Sequence, residues 1–281
     1  MPQIVANGIT LEMVCHGEPQ NVPVLLVRGL GSQILHWPGE LISGLVDAGY
    51  YVVTYDNRDA GLSQMMEDAP PYTLEDMAAD AMGVLDTLDI TAAHVFGISM
   101  GGMITQVIAM TYPDRVMSAT IVMSSSGAPD LPGRTPEIEA LLLGGPGPDA
   151  TRDEAIEGTL KTDRVWAGPS YPFDEAERRA LIGAAYDRAW RPDGVARQFR
   201  AIMSNPDRYE GLKNVAVPTL VIHGAGDALI SVEHGRDIAD RIPNARFEAI
   251  EGMGHDLDGG VCAPILKMIT AFMPAAASAP H

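Results

Sequence analysis

Gly97-Ile98-Ser99-Met100-Gly101 follows a short apolar run at residues 93–96 and opens a helix-like stretch at residues 102–110. A serine between two glycines in that setting reads as a nucleophile elbow. The serine there sits on a strained strand-to-helix turn, and the glycines remove side chains that would collide. The helix start also sets backbone N–H groups and the positive end of its dipole beside the hydroxyl. The plain alternative is an ordinary glycine-rich turn between a strand and a helix, so the surrounding chain has to decide.

Outward from the elbow, strand-like and helix-like stretches alternate. Val22–Val27, Tyr50–Tyr55, residues 116–123 and residues 219–223 repeat the nearly all-apolar character of residues 93–96. Such runs suit strands buried on both faces of a parallel sheet. Ahead of them, residues 4–5 and 9–14 flank Asn7-Gly8, a pair suited to the positive φ of a type I′ hairpin turn. Thr73 with Asp76 forms a capping-box pattern, followed by Met77, Ala81, Val84, Leu85 and Leu88 on one helical face. Strands alternating with helices imply a parallel sheet with right-handed crossovers. From about residue 129 to residue 218 the alternation stops. That stretch contains the breaker Gly144-Gly145-Pro146-Gly147-Pro148, helix starts at Thr135-Pro136 and at Thr151 with Glu154, and a longer helix at residues 174–190. A helical insertion between two core strands would lie over the sheet edge as a lid. Residues 274–281 read as a frayed tail.

A serine hydroxyl is a weak nucleophile until a histidine takes its proton and a carboxylate orients that histidine. In an elbow architecture the chain order is serine, acid, histidine. Asp227 ends Gly224-Ala225-Gly226-Asp227, just past residues 219–223. Catalytic groups of open α/β sheets collect at such strand ends. His255 ends Gly252-Met253-Gly254-His255, after the strand-like residues 247–250. Asp227 and His255 are therefore the candidate acid and base. Asp130, following residues 116–123, is the alternative acid. His94 and His223 fall within strands and His234 within a helix at residues 231–241, where structural or solvated roles suffice.

With these residues in place, the sequence resembles an α/β-hydrolase-fold serine hydrolase over essentially its whole length. Val27-Arg28-Gly29-Leu30-Gly31 resembles the family's His-Gly oxyanion loop after the third strand. Tyr55-Asp56-Asn57-Arg58-Asp59-Ala60-Gly61-Leu62-Ser63 resembles its Asp-x-Arg-x-x-Gly-x-Ser loop. Asp56-Asn57-Arg58-Asp59 together with Gly254-His255-Asp256 is similar to esterases of the aclacinomycin methylesterase type. The resemblance implies a mostly parallel, twisted, eight-stranded sheet flanked by helices. It divides the chain into a hydrolase core at residues 1–130 and 211–281 and a helical cap inserted at residues 131–210. It also implies an oxyanion hole formed by the backbone N–H groups of Leu30 and Met100. A serine at the elbow sets the chain apart from the haloalkane dehalogenase and epoxide hydrolase branches, which use aspartate there.

Arg28 stands where the family has histidine. Backbone donors do not depend on that side chain, and two roles are open to it: pairing with a nearby carboxylate, or binding an acidic group on a substrate. Arg58 and Asp59 are read as bracing their own loop and are left outside the site.

The implied reaction is hydrolysis of small to medium, mainly apolar carboxylic esters through an acyl-enzyme, with no cofactor and no metal. The same triad serves lactonases, C–C bond hydrolases and cofactor-free perhydrolases. A non-catalytic ligand-binding receptor on this fold is the alternative of another class, but such proteins often lose the triad, and here it is intact. Met100 and Met253 adjoin Ser99 and His255 and, with Trp166, are candidates for lining an adaptable apolar pocket. Core packing, or anchoring of the lid for Trp166, is the other role open to them.

Composition narrows the remaining classes. The 281 residues are 46% hydrophobic and 20% charged, which fits a globular chain with a substantial core. Nineteen Lys+Arg against 37 Asp+Glu give a net charge of −18. Without a local basic patch, that field disfavours nucleic-acid backbones and anionic membranes as partners. No apolar run reaches the roughly 18 residues of a spanning helix. Met1-Pro2-Gln3-Ile4-Val5 lacks the basic start and apolar core of a secretory signal, so a cytoplasmic protein is expected. Cys15 and Cys262 form no metal or redox pair by spacing, and no phosphate-cradling Gly-Lys-Ser/Thr loop is present. The expected partner is a small-molecule ester.

Overall fold

Asn7 and Gly8 take φ values of 50° and 77°, and the turn they make closes the hairpin between β1 (Gln3–Ala6) and β2 (Ile9–His16). The computed structural model describes residues 3–205 and 207–273; the tail expected at residues 274–281 lies outside them. Six more strands follow: β3 (Val22–Val27), β4 (Tyr50–Tyr55), β5 (Ala93–Ile98), β6 (Val116–Val122), β7 (Thr219–Gly224) and β8 (Arg246–Ile250). They join β1 and β2 in one sheet ordered β1-β2-β4-β3-β5-β6-β7-β8. β2 runs antiparallel to β1 and β4, and every other pair is parallel. β5 extends past its apolar run because Gly97 still pairs with Val27 and Ile121, carrying the ladder up to the elbow. β6 stops at Val122, since Met123 turns to φ 44°.

The helices are α1 (Gly39–Asp47), α2 (Leu74–Asp86), α3 (Met100–Thr111), α4 (Pro136–Leu143), α5 (Arg152–Trp166), α6 (Glu175–Arg188), α7 (Pro192–Met203), α8 (Arg208–Gly211), α9 (Val232–Arg241) and α10 (Cys262–Phe272). Both capping boxes are formed. Thr73 Oγ1 accepts the Asp76 amide at 3.3 Å while Asp76 Oδ2 accepts that of Thr73 at 2.8 Å, and Thr151 and Glu154 do the same for α5. Each such N-cap contributes about 1 kcal/mol. The strand period of two sorts β3 cleanly. Leu25 and Val27 join one apolar layer with Met77 of α2, Ile104 of α3 and Ile238 of α9. Val24 and Leu26 join the opposite layer with Leu41 of α1 and Ile265 of α10. Both faces of the parallel strands are thereby covered, which is why they read as continuous apolar runs. Between β6 and β7 lie α4 to α8, with no strand among the described residues. None of the described helices is long and apolar enough to cross a membrane.

Candidate active site

Ser99 has φ 54° and ψ −120°, a region L residues seldom occupy. Its surroundings hold it there. The Ser99 amide donates to the Val122 carbonyl at 2.9 Å, and its own carbonyl accepts the amides of Gly102 at 2.9 Å and Met103 at 3.2 Å, starting α3. Ser124 Oγ donates to the same carbonyl at 2.8 Å. The flanking glycines are required by contact: a Cβ at Gly101 would overlap the Val27 carbonyl, and one at Gly97 would overlap the Gly101 carbonyl and the Thr105 hydroxyl.

His255 Nε2 stands 3.0 Å from Ser99 Oγ, and its Nδ1 stands 2.7 Å from Asp227 Oδ2. A carboxylate can only accept, so Nδ1 carries the proton and Nε2 is left to accept the serine hydroxyl. The Asp227 side chain has no exposure. Its Oδ1 accepts the amides of Leu229 at 2.9 Å and Ile230 at 2.8 Å. Burial alone would raise this carboxyl, but the His255 and His223 rings beside it reverse that and hold it well below the usual carboxylate range. It is therefore ionised at neutral pH. The two loops are tied together, because the Ala225 amide donates to Ile250 at 3.0 Å and the Gly226 amide to Met253 at 2.9 Å.

Of the expected pocket residues, Met253 is fully buried in the apolar cluster that also holds Phe96, Ile98 and Leu257. What it lends the site is its carbonyl. Trp166 is half-buried at the end of α5, and its main-chain oxygen accepts the His255 amide at 2.8 Å. The Met100 side chain is fully buried in the other apolar layer.

The loop after β3 lies against Ser99: a Cβ built on Gly29 would be 3.1 Å from Ser99 Cβ and 3.6 Å from its Oγ. Leu30 follows in this loop, and Met100 is the first residue of α3, where helix amides have no intrahelical acceptor. Gln198 of α7 fixes the loop, accepting the Gly31 amide at 2.8 Å and donating to the Arg58 carbonyl at 2.7 Å. Nothing in the sequence marks Gln198, since a polar residue on an amphipathic helix reads as exposed; it is fully buried.

Arg58 grips Asp80 through two bonds of 2.6 and 2.7 Å, and Asp59 grips Arg197 through two of 2.9 and 2.8 Å. Both brace the scaffold. Asp56 accepts the amides of Ile34 at 2.7 Å and Leu62 at 2.9 Å and pairs with Arg188 of α6 at 2.7 Å. Asp130 is exposed after β6, and Asp227 holds the place beside His255. His234 bonds Ser125 Oγ at 2.8 Å and the Pro132 carbonyl at 3.0 Å. His94 bonds Ser118 Oγ at 2.7 Å.

Residues 22–257 match the model of a family described as alpha/beta hydrolase fold. The chain is 32% identical to the rhodomycin D methylesterase of Streptomyces peucetius, across 97% of this chain and 98% of that one. It is 27% identical to 3-oxoadipate enol-lactonase 1 of Acinetobacter baylyi, across 87% and 86% of the two chains. Among solved structures, the enol-lactonase from Burkholderia xenovorans LB400 matches with a TM-score of 0.77 at 24% identity, over 96% of this chain and 99% of that one, a likeness of fold.

Proposed function

Because the chain belongs to the alpha/beta hydrolase family, we propose that it is a serine carboxylic-ester hydrolase for small to medium, mainly apolar esters. The observation that carries this reading is the continuous hydrogen-bonded line from Ser99 through His255 to Asp227, at 3.0 and 2.7 Å. Ser99 Oγ attacks the ester carbonyl as its proton passes to His255 Nε2. Asp227 keeps the Nδ1–H oriented and stabilises the imidazolium. The developing oxyanion takes the N–H groups of Leu30 and Met100, donors fixed before reaction; losing one such donor typically costs about 2.7–4 kcal/mol. His255 then protonates the departing alcohol, leaving the acyl group on Ser99. A water deprotonated by His255 releases the acid and restores the serine.

The methylesterase among the relatives supports simple ester cleavage. The enol-lactonase supports a second reading, lactone opening, because a lactone is a cyclic ester open to the same attack. The segment of residues 131–210 is proposed as the cap that sets acyl preference. Initial rates on p-nitrophenyl esters from acetate to dodecanoate, with Ser99→Ala alongside, test the reading. Turnover that vanishes in the variant while its circular dichroism is unchanged is the expected result. A Ser99→Ala protein that still turns over these esters overturns it, and a folded wild type inert on all of them shifts the weight to the lactone.

A further inference from the structure

Arg28 continues the β3 series of Val24 and Leu26 toward the layer that holds Trp37, and its guanidinium stacks on that ring 4.7 Å from the centroid. Nε and Nη1 are buried with no hydrogen-bond partner, and no ion pair joins the side chain to any described residue. Arg28 is half-buried, and keeping two of its donors buried and unfilled is an expensive arrangement for a fold without a use. Stacking fixes the plane of the guanidinium and leaves its N–H edge, the edge that holds a carboxylate through two parallel bonds, unused.

Asp256 and Asp258 favour the Arg28 charge through space but do not pair with it. Asp256 and Asp258 both accept from Nη2 of Arg178, which also pairs with Asp163 at 3.3 Å. Burial pulls Arg28 down to about 10, so it stays charged at neutral pH. His36 beside it is pushed to about 3, by burial first and then by the Arg28 charge, so that ring stays neutral. The next residue, Gly29, is the one whose backbone lies against Ser99. α6 contacts both neighbouring loops: Gln33 Nε2 donates to the carbonyls of its Ala185 and of Ala189 just past its end at 2.9 and 2.8 Å, and Arg178 reaches the loop of His255.

We propose that Arg28 is a substrate-binding residue for an ionised carboxylate, so that the preferred ester carries a second acid group a few carbons from the scissile carbonyl, as in a monoester of a dicarboxylic acid. This rests on the ester-hydrolase reading above and narrows its substrate from mainly apolar esters to those with one ionised carboxylate.

The test separates the two. Monomethyl glutarate and dimethyl glutarate are titrated calorimetrically into Ser99→Ala protein, where binding is read without turnover. The monoester binds about tenfold or more tightly than the diester, as expected for a charge-assisted hydrogen-bonded pair. The difference disappears when Arg28→Met is added and is partly kept with Arg28→Lys. Equal or undetectable binding of the two esters to the Ser99→Ala protein overturns the proposal whatever the variants do. A preference that survives Arg28→Met in a folded protein also overturns it. Should the wild type hydrolyse no ester while Arg28-dependent binding persists, the ester-hydrolase reading fails and the anion site stands.

Discussion

Nε2 of His223 lies 3.4 Å from Oδ2 of Asp227, the same oxygen that meets Nδ1 of His255 at 2.7 Å. The candidate acid is thus flanked by two imidazoles, one facing the serine and one inside β7. His223 is fully buried and donates from Nε2 to the Ile230 carbonyl at 2.8 Å. Since Ile230 also donates its amide to Asp227 Oδ1, ring, turn and carboxylate are locked in one orientation.

His223→Phe keeps a ring in β7 but removes the Nε2–H that holds the Ile230 carbonyl, and with it the turn whose amide binds Asp227 Oδ1. We expect kcat on p-nitrophenyl butyrate to fall about tenfold with KM within about twofold, the range typical of residues that orient a catalytic group. His223→Gln, which retains an N–H, recovers part of the loss. A change confined to melting temperature, with kcat intact, would limit His223 to a structural role.

The strain at Ser99 can be weighed without the hydroxyl. Ser99→Ala and Ser99→Gly both remove Oγ, and only glycine takes φ 54° and ψ −120° freely. Such a backbone costs on the order of 1–3 kcal/mol for a residue with a Cβ. Glycine's extra unfolded-chain entropy offsets about 0.5–1 kcal/mol of this, so Ser99→Gly should melt roughly 2–4 °C above Ser99→Ala by circular dichroism. Equal melting temperatures would mean that the elbow stores no more than about 1 kcal/mol of strain, the size of glycine's entropic cost.

The elements legible in the sequence are those whose cause is local. Asn7-Gly8 fixes its hairpin, Thr73 and Asp76 close their box within four residues, and β3 and β4 are plain apolar runs. Ser99, Asp227 and His255 were readable because each follows a strand end in the order the elbow demands. Gln198 and His223 were not. Gln198 meets Gly31 across 167 residues of sequence, and that meeting depends on where α7 settles over the loop. Periodicity tells which face of an element is buried but not what stands opposite. In the sequence His223 reads as any strand-interior residue, because its distance to Asp227 is set by the turn through Ile230. Arg28 is an oddity in the sequence, and only the fold shows two of its donors buried without a partner among the described residues.

Gly101 couples the elbow to the loop after β3, proposed above to hold the oxyanion. A Cβ there would overlap the Val27 carbonyl, and Val27 is held in the β3 ladder with little room to retreat. Gly101→Ala should destabilise the protein by about 1–3 kcal/mol in urea unfolding. Because Arg28 to Leu30 follow directly, kcat should fall by about a hundredfold, the scale of losing an oxyanion donor. Loss of stability with kcat unchanged would uncouple the two.

Asp163 of α5 carries a pH signature of opposite sign to Asp227. Its side chain is 15% exposed and lies 3.3 Å from Arg178, which it shares with Asp256 and Asp258. Burial raises its carboxyl first, Arg178 opposes that, and the two neighbouring carboxylates add to it, bringing it to about 6 from the usual 3.8. The folded state therefore holds this proton more tightly than the unfolded chain. Its contribution to stability is fully present below about pH 4 and is lost as pH rises through 6. Asn is neutral throughout and can still accept from Arg178. Asp163→Asn should match the parent at pH 4 and melt higher at pH 8, by on the order of 5 °C. A variant that melts below its parent at pH 8 would instead place Asp163 among the ion pairs that hold α5 against α6.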